Sequence, residues 1–329
     1  MNDEIYLVTG AGGFVGCFMV RCLVAHGVRV RAMVRDLSRV RERVDGVEYV
    51  EADLTDMDSL RSVVEGVSGV YHIAALFREA GHPDSMFTEV NLEGTRRMLD
   101  ASIEAGVSRF IHCSTVGVLG HVAQAPADED TPYNPGDIYQ RTKMEGEQLA
   151  LRYFRDGKID GVVIRPAMIY GPGDTRTLKL FRMIAKKRFF YVGKGQALVH
   201  WIDVRDLVEA FYLAMQAAHE RTGSIYIISG ERALPLKEMA DLIARNLGVS
   251  PPWLHLPVKP MQALGSLCEW VCKPLKIEPP IFRRRVDFFT KDRHFDSRKA
   301  REELGFKPAR TFDEEIADII QHYKRCGTI

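Results

Sequence analysis

At 329 residues the chain exceeds the size at which a single hydrophobic core usually keeps growing, which predicts a large domain with a smaller appended lobe. A composition of 46% hydrophobic and 27% charged residues excludes collagen-like, low-complexity and disordered classes. Lys and Arg number 45 against 44 Asp and Glu, so the formal charge of +1 sets up no global field to recruit nucleic acid.

The chain runs straight into an apolar strand at Ile5 to Val8, with no basic stretch leading into a long apolar run. No segment supplies the roughly 18 unbroken apolar residues of a spanning helix. A reducing cytoplasm is the expected location. Short β-branched runs at 5–9, 28–34, 47–51, 69–73 and 110–113 alternate with amphipathic runs at 14–26, 57–65 and 86–105. A long helix over 135–156 and a strand over 161–165 continue the pattern. Such alternation is the signature of parallel βαβ units, and it predicts an α/β fold: a Rossmann-type doubly wound parallel sheet with its ligand crevice at the carboxyl ends of the strands.

Past Pro166 the rhythm lapses into shorter segments punctuated by Gly and Pro, so a smaller C-terminal substrate lobe begins there. The dinucleotide-binding domain is expected over 1–166, with 199–229 returning to it; 167–198 and 230–329 mainly build the substrate lobe. In that second half a helix is expected over 203–218 with Asp203 as N-cap, then a strand over 224–228. A helix over 236–247 should stop at Gly248, and a terminal helix over 312–325 should open on the acidic cluster Asp313, Glu314 and Glu315.

Between the first strand and first helix stands Thr9-Gly10-Ala11-Gly12-Gly13-Phe14-Val15-Gly16. Gly10 permits the tight turn, Gly13 lets backbone approach a pyrophosphate, and Gly16 allows the helix to pack closely on the strand. Phe14 and Val15 open the helix whose N–H groups face the phosphates. The second strand ends Ala32-Met33-Val34-Arg35-Asp36, placing Arg35 where an acidic residue would take the ribose hydroxyls. A guanidinium there suits a 2′-phosphate, with Arg39 as a second cation, so NADP(H) is favoured. NAD(H) is the alternative, with Asp36 holding the ribose.

Tyr139 and Lys143 lie four apart on the 135–156 helix, so both project from one face toward one crevice. Ser114-Thr115 closes the fifth strand at the same carboxyl edge. With the glycine loop, these residues resemble the extended short-chain dehydrogenase/reductase superfamily, which includes NAD(P)-dependent epimerases and dehydratases. The resemblance extends to Asp53-Leu54, which in the family flanks the adenine, and to His72-Ile73-Ala74-Ala75, where backbone lines the pyrophosphate and ribose. It also covers Asn91-Leu92-Glu93-Gly94-Thr95, the segment from Arg165-Pro166 through Ile169 to Pro172 that closes on the nicotinamide, Trp201 to Asp206, and Lys299 to Phe306.

The resemblance implies proton transfer coupled to hydride transfer. Tyrosine, with an ordinary pKa of about 10, is too weakly acidic to serve as a base at neutral pH, and the ammonium of Lys143 is expected to favour its phenolate. Tyr139 would exchange the proton, Thr115 would hold the substrate oxygen with Ser114 as the alternative, and Lys143 would also bind the nicotinamide ribose. Val116 and Gly117 stand where dehydratases carry an Asp-Glu pair, which argues against dehydration. Leu119-Gly120 replaces the Tyr-Gly of many sugar epimerases, which predicts a less polar pocket.

Trp253-Leu254-His255-Leu256-Pro257, Leu264 to Val271 with Trp270, Arg283-Arg284-Arg285 and Phe288-Phe289 form an apolar and basic stretch. It reads as a lid over a hydrophobic ring substrate, a membrane-surface contact or ordinary packing. Its character is nearest to the 3β-hydroxysteroid dehydrogenase and dihydroflavonol-reductase branches. The expected activity is therefore interconversion of a secondary alcohol and a ketone on a bulky, apolar ring. A nucleotide-sugar 4-epimerase with retained NAD is the alternative, and a non-catalytic dinucleotide sensor a third reading. The family often dimerises through the helices at 86–105 and 135–156, so a homodimer is expected. The six cysteines, Cys17, Cys22, Cys113, Cys268, Cys272 and Cys326, lack C-x-x-C spacing and read as bystander thiols, with no metal site expected.

Overall fold

The computed structural model describes residues 4–40, 42–77, 82–122, 124–272 and 289–329. Its strands are β1 (Ile5–Thr9), β2 (Arg29–Val34), β3 (Glu48–Glu51), β4 (Gly69–His72), β5 (Arg109–Cys113), β6 (Asp160–Pro166), β7 (Met168–Tyr170), β8 (Tyr191–Val192), β9 (Leu198–Asp203), β10 (Ile225–Ile228), β11 (Ala233–Pro235) and β12 (His255–Leu256). Its helices are α1 (Phe14–Ala25), α2 (Met57–Val64), α3 (Asp84–Thr88), α4 (Gly94–Glu104), α5 (Ile138–Arg155), α6 (Leu178–Ala185), α7 (Val204–Gln216), α8 (Leu236–Leu247), α9 (Val258–Cys272), α10 (Arg298–Leu304) and α11 (Phe312–Arg325).

Seven strands form one parallel sheet in the order β10-β6-β5-β4-β1-β2-β3. This is the Rossmann-type α/β sheet expected from the sequence. The strand order reverses beside β1, where such a sheet opens its ligand crevice. Every residue of β4 and β5 is buried because helices cover both faces of the sheet. Met19 and Leu23 of α1 and Leu207 and Phe211 of α7 pack on one face. Leu60 and Val63 of α2, Met98 and Leu99 of α4, and Leu149 and Phe154 of α5 pack on the other. A second sheet, β11-β9-β7, carries its own core of Phe181, Trp201, Ile243 and Ile319 under α6, α8 and α11. Among the described residues, no helix is long and apolar enough to cross a membrane.

The local end signals match the expected ones. Asp203 caps α7 by accepting from the Arg205 N–H at 2.8 Å, and Gly248 ends α8 in the left-handed conformation. Glu314 and Thr311 close a capping box around the start of α11. The expected single helix over 86–105 is instead α3 and α4 joined through a π-turn at Glu89–Glu93. Asn91 in this turn is buried, accepts from the Leu76 N–H (2.7 Å) and donates to the Leu76 carbonyl (3.1 Å). A side chain that satisfies a distant loop explains a turn that the helical period alone could not foretell.

Glu315 at the base of α11 is buried and accepts the Tyr170 hydroxyl. Burial pushes its carboxyl up to about 8, with Asp203 and Asp206 adding to the rise and the Tyr170 bond and Arg205 opposing it. A raised folded pKa means that the unfolded chain releases this proton at lower pH than the folded one. The contribution is full below about 4.5 and is lost as pH climbs toward 8. Glu315→Gln, neutral at every pH, is therefore expected to match the wild type near pH 5 and to exceed it by a few kcal/mol at roughly pH 8.5. Urea unfolding of both proteins at the two pH values checks this; a stability difference that does not grow with pH would contradict it.

Candidate active site

The loop after β1 is shaped by close backbone contacts. Gly10 takes a φ of +69°, and a Cβ there would lie 2.9 Å from the Ala74 Cα. At Gly16 a Cβ would come within 2.1 Å of the Gly10 carbonyl oxygen, so only glycine lets α1 begin so near the turn. Gly13 caps α1 without any side-chain hydrogen bond, which leaves the positive helix end open to an anion. Gly10, Gly13, Phe14, Val15 and Gly16 all line a cavity of about 1390 Å³. That exceeds the roughly 300–1,000 Å³ of a single-ligand pocket, leaving space for a dinucleotide and a second molecule. A cradle that a Cβ would fill, beside an uncapped helix end, fits a dinucleotide pyrophosphate.

Thr9 ties this loop to the next strand exit. Its Oγ1 accepts from the Ile73 and Ala74 N–H groups, both at 3.0 Å, and donates to His72 Nδ1 at 3.1 Å. His72 Nε2 then donates to Thr95 Oγ1 at 3.1 Å, and Thr95 passes its own proton to the Asn91 carbonyl at 2.8 Å. This chain is self-consistent only with a neutral imidazole protonated at Nε2. Burial, aided by the Lys143 ammonium, holds His72 in that state by pulling its pKa down to about 3. The result fixes Ala74 and Ala75 on the cavity wall.

At the far end of the cavity lie Arg35, Asp36, Arg39, Asp53 and Leu54. Asp36 turns back on its own loop: it accepts from the Ser38 N–H at 2.9 Å and pairs with Arg39 at 3.1 Å. Those Ser38 bonds hold its carboxyl below the usual range. Arg39 is thus drawn to Asp36, while Arg35 has no ion-pair partner among the described residues. Asp53 accepts from the Thr55 N–H and hydroxyl at 2.8 and 2.7 Å.

The middle of the cavity holds Ser114, Thr115, Tyr139, Pro166 and Ile169. Thr115 Oγ1 accepts from the Gly117 N–H at 3.0 Å and starts the short helical turn Val116–Leu119, leaving its hydroxyl proton to donate elsewhere. Ser114, the alternative catalytic hydroxyl, lines the same cavity and donates its proton to the buried Glu147 carboxylate. Tyr139 lies in the first turn of α5, which Asp137 caps through the Gln140 N–H at 2.7 Å, and its ring meets Phe77 edge-on at 4.9 Å. Lys143 does not line the cavity. It is 3% exposed, and its Nζ donates to the Cys113 carbonyl at 2.6 Å, with two further N–H donors left over. Burial pulls its ammonium below the usual lysine range, while Cys113 and Glu147 oppose that pull.

Several contacts around the cavity were not legible in the sequence. Glu147 and Arg165 form a fully buried ion pair at 2.6 Å, which Tyr133 joins by donating to Glu147 at 2.7 Å. Arg176 lies 5.5 Å from the Phe14 ring and 5.4 Å from the Phe77 ring, and its guanidinium pairs with Asp174 at 2.9 Å. Glu147 and Arg165, and the Arg176 guanidinium and its two rings, stand far apart in sequence, so spacing gave no signal for those contacts. Leu119, expected to make the pocket less polar, packs instead into the main core at 1% exposure and is not on the cavity wall. The apolar wall comes from Met183, Phe189, Trp201, Met261, Phe289 and Phe295 of the second lobe. Trp253 is 81% exposed and stands off it. Arg283, Arg284, Arg285 and Phe288, and the side chain of Trp270, lie outside the described residues.

The family described as NAD dependent epimerase/dehydratase matches residues 6–229, well over half of the chain. Sterol demethylase protein B of Methylococcus capsulatus is 31% identical, covering 98% of this chain and 99% of its own. The crystal structure of gox2253 superposes with a TM-score of 0.84 at 31% identity, covering 99% of each chain. UDP-glucuronic acid 4-epimerase from Bacillus cereus, solved in complex with NAD, reaches a TM-score of 0.79 at 20% identity over 98% of this chain and 99% of that one, which is a likeness of fold. The chain belongs to the NAD dependent epimerase/dehydratase family, within the extended short-chain dehydrogenase/reductase superfamily.

Proposed function

We propose that this enzyme interconverts a secondary alcohol and a ketone on a bulky, apolar ring of the sterol or flavonoid kind. One observation carries the reading: the cavity that holds the glycine loop, Thr115 and Tyr139 continues into a wall of Met183, Phe189, Trp201, Met261 and Phe295. The full-length likeness to a protein named for sterol demethylation supports the same substrate class.

Tyr139 donates its phenolic proton to the substrate oxygen in reduction and takes it back in oxidation. The buried Lys143 ammonium, held by the Cys113 carbonyl, stabilises the phenolate left on Tyr139. The Thr115 hydroxyl donates to the same substrate oxygen and fixes its position. Phe77, packed edge-on against Tyr139, helps keep water from the phenol. The dinucleotide supplies or accepts the hydride when bound. Gly10 to Gly16 would hold its pyrophosphate, Asp53 and Leu54 its adenine, Ala74 and Ala75 its ribose end, and Pro166 and Ile169 its nicotinamide, while Lys143, off the cavity wall, acts through Tyr139.

NADP(H) is the preferred form, on the strength of Arg35. Asp36 is occupied by Ser38 and Arg39, whereas Arg35 lines the cavity with no ion-pair partner among the described residues. A charge-assisted bond is worth about 1.5–3 kcal/mol, so Arg35→Ala is expected to raise KM for NADPH roughly 10- to 100-fold and to leave KM for NADH nearly unchanged. Steady-state kinetics with both cofactors and a cyclic ketone checks this, and equal effects on the two would contradict it. The nucleotide that copurifies with the wild type tests the reaction itself. Protein free of nucleotide and stabilised by NADPH is the expected result; tightly retained NAD would favour a nucleotide-sugar 4-epimerase instead.

A further inference from the structure

The C-terminal end of α1 and the outer face of α7 bring together three side chains that the candidate site does not use. Cys22 Sγ lies 3.4 Å from Glu209 Oε1, and His26 Nε2 lies 3.0 Å from Glu209 Oε2. All three potential ligand atoms fall within 4.8 Å of one another. Around a four-coordinate zinc ion with bonds of about 2.0–2.3 Å, ligand atoms stand about 3.3–3.6 Å apart. The carboxylate is therefore already near coordination distance from both other donors, and the thiol-to-imidazole gap has about an ångström to close at most.

We propose that Cys22, His26 and Glu209 form a surface site for a zinc-like divalent transition metal, with water in the fourth position. Cys22 and His26 are one helical turn apart and so share a face of α1. The His26 ring is held by stacking on Tyr212, with centroids 3.8 Å apart and planes at 10°. Cys22 is buried at the base of the cluster while His26 and Glu209 are exposed above it, so the cluster is closed beneath and open to solvent.

Before an ion arrives, the Glu209 carboxylate takes a hydrogen bond from the thiol and is paired with the imidazole. Burial, with Glu209 adding to it, pushes the Cys22 thiol up to about 12. Binding converts the S–H to a metal–sulfur bond and releases its proton to solvent, with no change of oxidation state. The thiolate and imidazole select borderline metals such as zinc, cobalt and nickel over magnesium or calcium. The ion would pin α1 to α7 at a distance from the phosphate loop, because the nine residues from Gly13 to Cys22 span about 13 Å of helix. A second cysteine-histidine pair, Cys326 and His322 at 3.6 Å on α11, has no third donor among the described residues and serves as an internal control.

Chelator-treated full-length protein titrated with cobalt(II) alone is expected to bind one equivalent and to develop a thiolate-to-cobalt charge-transfer band with tetrahedral d–d absorption. The band should vanish in Cys22→Ser, binding should weaken tenfold or more in the surface variants His26→Ala and Glu209→Gln, and Cys326→Ser should behave as wild type. Zinc(II) should raise the unfolding temperature of the wild type and not of His26→Ala. If Cys22→Ser fails to fold, His26→Ala and Glu209→Gln carry the test. Absence of stoichiometric binding, persistence of the band in Cys22→Ser, full affinity in both surface variants, or its loss in Cys326→Ser would each overturn the proposal.

Discussion

Tyr139→Phe is expected to lower turnover by roughly 10²- to 10⁴-fold, the usual range for removing a general acid–base group, with dinucleotide affinity nearly unchanged. The substitution keeps the ring, and with it the edge-on contact to Phe77 at 4.9 Å, and deletes only the hydroxyl. Thr115 and the Lys143 ammonium remain in place, but neither can take over the proton. The Thr115 alcohol is far too weak an acid to give up its proton and only lends a hydrogen bond, and Lys143 is buried behind the cavity wall on the Cys113 carbonyl. Single-turnover rates with a cyclic ketone and fluorescence titration of NADPH separate the two effects. A variant with wild-type turnover would refute the proton-transfer role, and one that cannot bind NADPH would show that the phenol serves binding instead.

Arg165→Met is expected to cost about 3–5 kcal/mol of stability, because it leaves a buried carboxylate without its countercharge. The Arg165 guanidinium bonds to Glu147 at 2.6 Å through Nη2 and at 3.2 Å through Nε, and its Nη1 donates to the Glu129 carbonyl at 3.0 Å. Glu147 in turn accepts from Tyr133 and from Ser114, the residue that precedes Thr115. Loss of the cation therefore loosens the end of β5 where the Thr115 hydroxyl stands. Adding Glu147→Leu to Arg165→Met removes the stranded charge, so the double variant should recover part of the loss. Urea unfolding of wild type, both single variants and the double variant completes the cycle. A single-variant loss below about 1 kcal/mol would contradict the account.

The parts of the molecule whose cause is local were legible in the sequence. The turn at Gly10 requires a positive φ, Gly16 requires no Cβ, and Tyr139 and Lys143 share a helix face because 3.6 residues make a turn. The caps at Asp203, Gly248 and the start of α11 are local for the same reason. The relation between Tyr139 and Lys143 was only partly legible. A common helix face does not say that one side chain lines the cavity while the other is sealed on the Cys113 carbonyl, which the packing of α5 over β5 decides. Leu119 shows the same limit, since a motif position adjoining the site in sequence turned into the core.

The sequence by itself determined the alternation that makes a parallel doubly wound sheet, the tight glycine loop after β1 and the four-residue spacing of Tyr139 and Lys143, because each depends on residues within a turn or two of one another. Only the tertiary structure decided that Ser114 serves Glu147 and that Cys22 and His26 meet Glu209 from 183 or more positions away. Those contacts join segments whose distance in the chain carries no information about distance in space. They form because burying the faces of α1, α5 and α7 against one sheet leaves each polar group at the boundary needing a partner, and the partner is whatever the packing brings there.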